Sequence, residues 1–348
     1  MYLVTNGRLI TRDPDGKGYY EHGAVAYEGS QIVEVSEESA LRAKYADAEI
    51  IDAKGGVIMP ALINAHTHIY SALARGLSIV GNNPTNFYEV LDGTWWAIDR
   101  HLMMDGTRAS ATALYMDSIK QGVTTIFDHH ASYGEIPGTL HTIAEESKRL
   151  GLRSCLCYEV SDRDGEEKCL QAIQENADFI SECEKNKDPM LAAMFGGHAL
   201  FTISDKTFDR MVEANNGRTG YHIHVSEGMN DVYDSLQNYG RRPVQRLQDH
   251  GILGEKTILG HCIHVNTAEM EIIKETGTMV VNNPESNMGN AIGICPVLQL
   301  HKRGILLGMG TDAYTNDMLE SLKVALCSQR SQNCLPNVGW CEVTDMLF

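Results

Sequence analysis

The chain has 348 residues, 43% hydrophobic and 22% charged, which is ordinary for a globular protein and long enough to bury a full core. A formal net charge of −17 argues against nucleic acid or an anionic membrane as partner and leaves a small-molecule substrate open. Nine cysteines, with no CxxC pair, read as reduced thiols; with no signal-peptide core at the N-terminus and no apolar run of membrane length, a soluble cytoplasmic protein is expected.

Residues 1–57 read as a small β lobe. Leu3-Val4 and Leu9-Ile10 flank Asn6-Gly7, a hairpin signal, and Asp13-Pro14-Asp15-Gly16 is another turn. Apolar stretches at 24–27 and 31–35 flank Glu28-Gly29-Ser30, and a short helical piece around 39–45 leads to a strand at 50–53.

From there the pattern changes. Apolar runs at 57–65, 123–127, 152–157, 191–195, 221–225, 257–260, 278–281 and 304–308 alternate with helical segments at 107–120, 139–150, 166–183, 204–215, 242–249, 267–275 and 317–329. Eight strands with helices between them predict an α/β fold, a (β/α)8 TIM-like barrel over residues 58–348. No GxGxxG follows the first strand, which weakens a doubly wound dinucleotide-binding sheet. The long link at 69–106, with Arg75, Trp95, Trp96, Asp99 and His101, reads equally as a lid over the strand ends and as a helical excursion whose tryptophan pair is core.

The chemistry gathers where strands end. His66 and His68 close the first run, and the period of two puts them on one face. Later runs end in Asp128-His129-His130, Gly196-Gly197-His198, His222-Ile223-His224 with Glu227 beyond, His261-Cys262, and Thr311-Asp312. In a barrel all these ends open onto one mouth. A metal hydrolase needs neutral nitrogen ligands, a carboxylate and an open position for water. His66, His68 and a strand-five histidine supply nitrogens, and Asp312 supplies the carboxylate. Glu227, just past the fifth strand, is placed to move protons.

The segments PALINAHTH (60–68), ARGL (74–77), GVTTIFD (122–128), GGHALFTIS (196–204), HIHVSE (222–227), LGHCIHV (259–265), NNPESNMGNAIGICPV (282–297) and GMGTDAYTND (308–317) resemble the amidohydrolase superfamily. The branch is that of the deaminases and triazine chlorohydrolases, most closely the SsnA-type aminohydrolases. The resemblance implies that His66, His68, His224 and Asp312 bind one divalent ion, zinc or iron(II). It implies that Glu227 shuttles protons, that His261 holds the attacking water or polarises the substrate, that Asp312 takes the water's proton and that His198 lines the pocket. Arg75 and His129 are counted with the substrate contacts. The implied reaction is hydrolytic deamination of a cyclic amidine or aminated heterocycle. The alternatives are dehalogenation of a chlorinated ring and a catalytically inactive binding protein on the same scaffold.

Relatives usually read HAPY where this chain has His198-Ala199-Leu200-Phe201, so the pocket differs there. No lysine on strands three or four offers a bridge for a second metal; Glu159, just after strand three, is the one residue that could. Relatives also return with strands that complete the N-terminal lobe as a small β-sandwich, so the C-terminal half of that lobe is expected to be missing here. A homo-oligomer is left open.

Overall fold

The structure, a computed structural model, describes residues 1–348 and divides into two compact units, Met1–Ala61 with Phe348, and Leu62–Leu347. The smaller unit is one five-stranded sheet: β1 (Tyr2–Ile10), β2 (Tyr19–Glu28), β3 (Gln31–Glu37), β4 (Glu49–Asp52) and β5 (Val57–Ile58), with helix α1 (Glu38–Lys44) after β3. Strands β2 and β3 pair antiparallel across Gly29-Ser30, while β4 and β5 run parallel to β1. Leu3, Ala24, Ala26 and Leu41 form its buried core.

Asn6-Gly7 does not make the expected hairpin. β1 runs straight through it with register shifts on either side, and Asn6 takes φ 56°. The same left-handed tolerance that suits Asn-Gly to a turn suits it to a bulge. The apolar run at 57–65 also divides: Val57–Ile58 pairs with β1, and the chain re-enters a strand only at Leu62, past Pro60.

In the larger unit, β6 (Leu62–Thr67) leads through helices α2 (Phe87–Val90), α3 (Trp96–His101) and α4 (Met104–Lys120) to β7 (Val123–His130). Then follow α5 (Thr139–Leu150), β8 (Arg153–Tyr158), α6 (Glu166–Asn186), β9 (Leu191–Ala193), β10 (Phe195–Ala199), α7 (Asp205–Asn215) and β11 (Tyr221–Val225). The last part holds α8 (Met229–Tyr239), α9 (Pro243–Asp249), β12 (Ile258–His261), α10 (Thr267–Glu275), β13 (Met279–Asn282), α11 (Pro284–Gly289), α12 (Val297–Lys302), β14 (Leu307–Met309), α13 (Met318–Asn333) and α14 (Trp340–Asp345). Caps set several helix starts: Ser204 accepts from Thr207 N, Asp317 from Leu319 N and Glu320 N, and Asn266 with Glu269 forms a capping box. No helix is long and apolar enough to cross a membrane, and all nine cysteines are free.

Two parallel sheets result, β6-β7-β8-β9 and β10-β11-β12-β13-β14. Parallel bridges Thr67–Asp312 and Val160–Gly197 join them. The fourth apolar run is thus two strands: Leu191–Ala193 pairs with β8, and after Met194 the chain joins β11 instead. Gly196 permits this crossing, because a Cβ there would lie 2.3 Å from the Tyr158 carbonyl oxygen.

Gly196→Ala therefore has to push backbone from backbone and is expected to cost about 1–3 kcal/mol. Gly254→Ala, where nothing lies within 4 Å, is expected to stay within about 0.5 kcal/mol. Denaturant unfolding of the two variants checks this.

Candidate metal centre and active site

The C-terminal ends of β6, β11, β12 and β14 bring His66, His68, His224, Glu227, His261 and Asp312 together. The histidines are buried, with His66 and His261 at 0% exposure, and Asp312 is 8% exposed. His68 Nε2 lies 3.3 Å from His224 Nε2 and 3.1 Å from Asp312 Oδ1, and His66 Nε2 lies 3.9 Å from the same oxygen.

Hydrogen positions follow from the partners. His68 Nδ1 donates to the His129 carbonyl at 2.6 Å, and His224 Nδ1 donates to the His198 carbonyl at 2.8 Å. Both rings in neutral form therefore turn a lone pair on Nε2 inward. His66 Nδ1 meets His222 Nε2 at 2.8 Å, and its own Nε2 is buried without a hydrogen-bond partner. With the His66 hydrogen on Nδ1, toward His222, three imidazole lone pairs and a carboxylate oxygen face a buried space. Acceptors held so close repel unless a cation lies among them. The His68–His224 and His68–Asp312 separations lie near the ~3.4 Å edge of a tetrahedron with bonds of ~2.0–2.1 Å, and a ring nitrogen of each of His66, His68 and His224 lies within 4.8 Å of the others, so the donor set fits a divalent metal. His68 feels the same demand for positive charge: burial pulls it down, but the Asp312 and Glu159 carboxylates more than offset this and lift it to about 9, so either a proton on Nε2 or a metal answers Asp312. Burial and the neighbouring rings push His66 and His224 far below the usual imidazole value.

His261 stands on the other side of Asp312. Its Nδ1 donates to Asn287 Oδ1 at 2.8 Å, so Nε2 is an acceptor: Asn283 Nδ2 donates to it at 3.3 Å, and Asp312 Oδ2 and Glu227 Oε1 lie 3.7 and 3.5 Å away. Burial, together with the carboxylates of Asp312, Asp231 and Glu159, drives Glu227 well above the ordinary carboxyl value, which favours its protonated, donating form.

A cavity opens on this group, lined among others by Tyr70, Phe87, Trp95, Trp96, Glu159, His198, Glu227 and Tyr314. The link at 69–106 supplies Phe87, Leu91, Trp95 and Trp96 through a π-type turn at Leu91–Trp95. His198 lies in the cavity wall. His129 is fully buried behind it, its Nε2 donating to the carbonyls of Gly197 and His222 at 3.0 and 3.1 Å. Arg75 lies apart: its side chain is 54% exposed and pairs with Asp117 at 3.4 Å, outside the cavity lining. Sequence reasoning passed over Tyr70, Phe87, Asn287 and the positioning contact of His222. Of these, Asn287 and His222 sit in quoted motifs, NNPESNMGNAIGICPV and HIHVSE, and Tyr70 and Phe87 do not.

The amidohydrolase family matches residues 57–342. The chain belongs to that family. Among relatives, the 5'-deoxyadenosine deaminase of Methanosarcina barkeri is 29% identical over 328 residues, 93% of this chain and 72% of the relative. The 5-methylthioadenosine/S-adenosylhomocysteine deaminase of Syntrophobacter fumaroxidans is 31% identical over 313 residues, 89% of this chain and 68% of that protein. Among solved structures, a zinc-bound adenosine deaminase from Xanthomonas campestris superposes with a TM-score of 0.83 at 23% identity, covering 99% of this chain and 77% of the other. Guanine deaminase from C. acetobutylicum, with guanine in its active site, gives 0.85 at 18% identity, covering 99% and 84%. This amidohydrolase therefore shares their fold.

His222→Phe keeps a flat ring but removes the partner of His66 Nδ1. It is expected to weaken metal retention by about 10–100-fold, read by competition against a chelator.

Proposed function

We propose that this amidohydrolase hydrolyses a non-peptide C–N bond, removing an exocyclic amine from a cyclic amidine or aminated heterocycle with the help of one divalent metal, zinc or iron(II). The observation that carries this reading is the buried cluster of His66, His68 and His224, each with a ring nitrogen within 4.8 Å of the others, with Asp312 Oδ1 3.1 Å from His68 Nε2 and the carboxyl of Glu227 beside it. The deaminase names of the relatives support the reaction class. In this reading the two sheets close into a (β/α)8 barrel through the Thr67–Asp312 and Val160–Gly197 bridges, and residues 58–348 carry the catalytic unit, with residues 1–57 belonging to a small β lobe.

His66, His68, His224 and Asp312 would hold the metal, which when bound brings the pKa of a coordinated water to about 7. The remaining work falls to side chains. Net reaction replaces the ring's amine by the oxygen of water and releases ammonia. As the C–O bond forms, Glu227 in its protonated form gives a proton to the adjacent ring nitrogen. Asp312 Oδ2 accepts the proton leaving the water, with His261 Nε2 3.7 Å away to hydrogen-bond the same group. As the C–N bond breaks, a proton passes through Glu227 to the departing amine. His198 contacts the ring, and the aromatic wall excludes water.

Purified protein is expected to hold about one zinc or iron per chain by elemental analysis. Glu227→Gln keeps the shape but cannot exchange a proton at neutral pH, so metal content should stay near wild type while turnover falls by about a hundredfold or more. Asp312→Asn should lower both, because a carboxylate ligand becomes a neutral amide. An ammonia-release screen over purines, pterins, pyrimidines and triazines with metal-loaded protein tests the reading itself. Chloride release from chlorinated rings without ammonia would overturn it in favour of dehalogenation.

A further inference from the structure

The proposed chemistry leaves Glu159 without a task. It follows β8, is 3% exposed, and lines the same cavity as His198, His224, Glu227 and Asp312. One of its oxygens lies within 4.8 Å of ring nitrogens of both His198 and His224. A buried carboxylate needs hydrogen-bond donors or a cation, and its neighbours offer little.

His129 Nδ1 lies 3.4 Å from Oε2. The Nε2 hydrogen of His129 is already committed to the Gly197 and His222 carbonyls, so the neutral ring presents Nδ1 only as a lone pair. His198 behaves likewise. The Thr202 hydroxyl donates to the Ala199 carbonyl at 3.0 Å, so it accepts from His198 Nδ1 at 2.7 Å. His198 Nε2, 3.8 Å from Glu159 Oε1, is then a lone pair too. The one donor is Arg163 Nη2 at 3.6 Å, beyond ordinary hydrogen-bond length. Both terminal nitrogens of Arg163 are engaged by Asp99, and Nη1 also lies 3.1 Å from Asp164. Arg100 Nε holds one oxygen of Asp164 at 2.7 Å, but Arg163 is still shared among Asp99, Asp164 and Glu159, and the acceptor atoms of Glu159 and His198 are left facing the cavity. Tyr70, Phe87, Trp95 and Trp96 provide aromatic surface beside it.

We propose that Glu159, with His198 Nε2 beside it, is a specificity-determining acceptor for a planar ring that presents an amidinium- or guanidinium-like edge of N–H donors. Such an edge meets both carboxylate oxygens at once, and the aromatic wall favours a flat cation over a neutral ring of the same shape. The role is separate from that of Glu227, which moves protons. It rests on the deaminase reading only in taking this cavity as the substrate site.

The test compares benzamidine, a flat amidinium, with benzamide, its neutral near-isostere, by calorimetric titration of the metal-loaded full chain. Wild type is expected to bind benzamidine about tenfold or more tightly than benzamide, the scale of a charge-assisted hydrogen bond. In Glu159→Gln the preference should shrink to within about threefold, with metal content unchanged, and Glu159→Asp should fall between. Equal binding by wild type overturns the proposal, and this comparison needs no variant to fold. A preference that survives Glu159→Gln overturns it as well, as do two metal ions per wild-type chain of which Glu159→Gln loses one, since a second cation would then be what the acceptors await. Ammonia release is scored separately. Benzamidine preference without deamination of any ring keeps this proposal and sinks the deaminase reading; deamination without the preference does the reverse.

Discussion

The site depends on where the imidazole hydrogens go. His68 and His224 each give theirs to the main-chain carbonyl of a histidine on a neighbouring strand, His129 and His198 respectively. His129 gives its own to Gly197 and His222. Strand pairing thus sets ring tautomers, because the carbonyls that accept are held by the sheet. Once those hydrogens are spent, the opposite nitrogen of each neutral ring can only accept, and burial makes acceptors that face one another costly. The centre is accordingly a place built for a cation, and the protein around it stabilises that arrangement through backbone rather than through long side chains.

That constraint also separates what could be read in the sequence from what could not. HxH at the end of β6 and HxxE after β11 follow from period-two alternation and short spacing, so the residue types of the centre were legible. The nitrogen each ring uses was not, since it depends on a carbonyl from another strand. His129 looked like a substrate contact because it ends an apolar run beside the others. Its Nε2 instead joins β10 and β11, and its ring is buried. Asn6-Gly7 and the run at 191–195 failed for another reason. A bulge and a turn share left-handed backbone, and a sheet change after three residues leaves no mark in hydropathy beyond the glycines that follow.

Glu159 shows the same limit from the opposite direction. Beside the sequence of β8 it suggested only a bridge between metals. Its surroundings come from three separated places, β7, β10 and the segment that carries Arg163, and each partner is itself committed elsewhere. Trp96 ties these together: the Arg163 guanidinium lies 5.1 Å from its ring and His198 5.9 Å away. The apolar residues Phe87, Leu91 and Trp95 recur at four-residue spacing, as a helix face would, and the π-type turn lets Trp96 line the cavity with them. A helical excursion whose tryptophans are simply core and a wall over the strand ends have the same sequence pattern; only the polar residues opposite tell them apart.

The remaining question is how residues on different strands come to aim at one point. Alternation alone sends side chains in and out but does not tilt them toward a common centre. Ser226, His261 and Asp312, none of them glycine, take φ values of 49°, 69° and 55° at the ends of β11, β12 and β14. Left-handed backbone at such residues costs about 1–3 kcal/mol each and persists only where neighbours over-determine it. Here they do. Ser226 N donates to Asp231 Oδ2 at 2.7 Å, Cys262 N to the Val225 carbonyl at 3.0 Å, and Thr311 N and Asp312 N both to the His66 carbonyl at 3.0 Å. The last pair couples the centre to itself, since the residue that supplies a ring nitrogen also fixes, through its carbonyl, the turn that aims the carboxylate. Strain at three strand ends, held by hydrogen bonds between the strands, is what turns six side chains from a row of strand termini into one site.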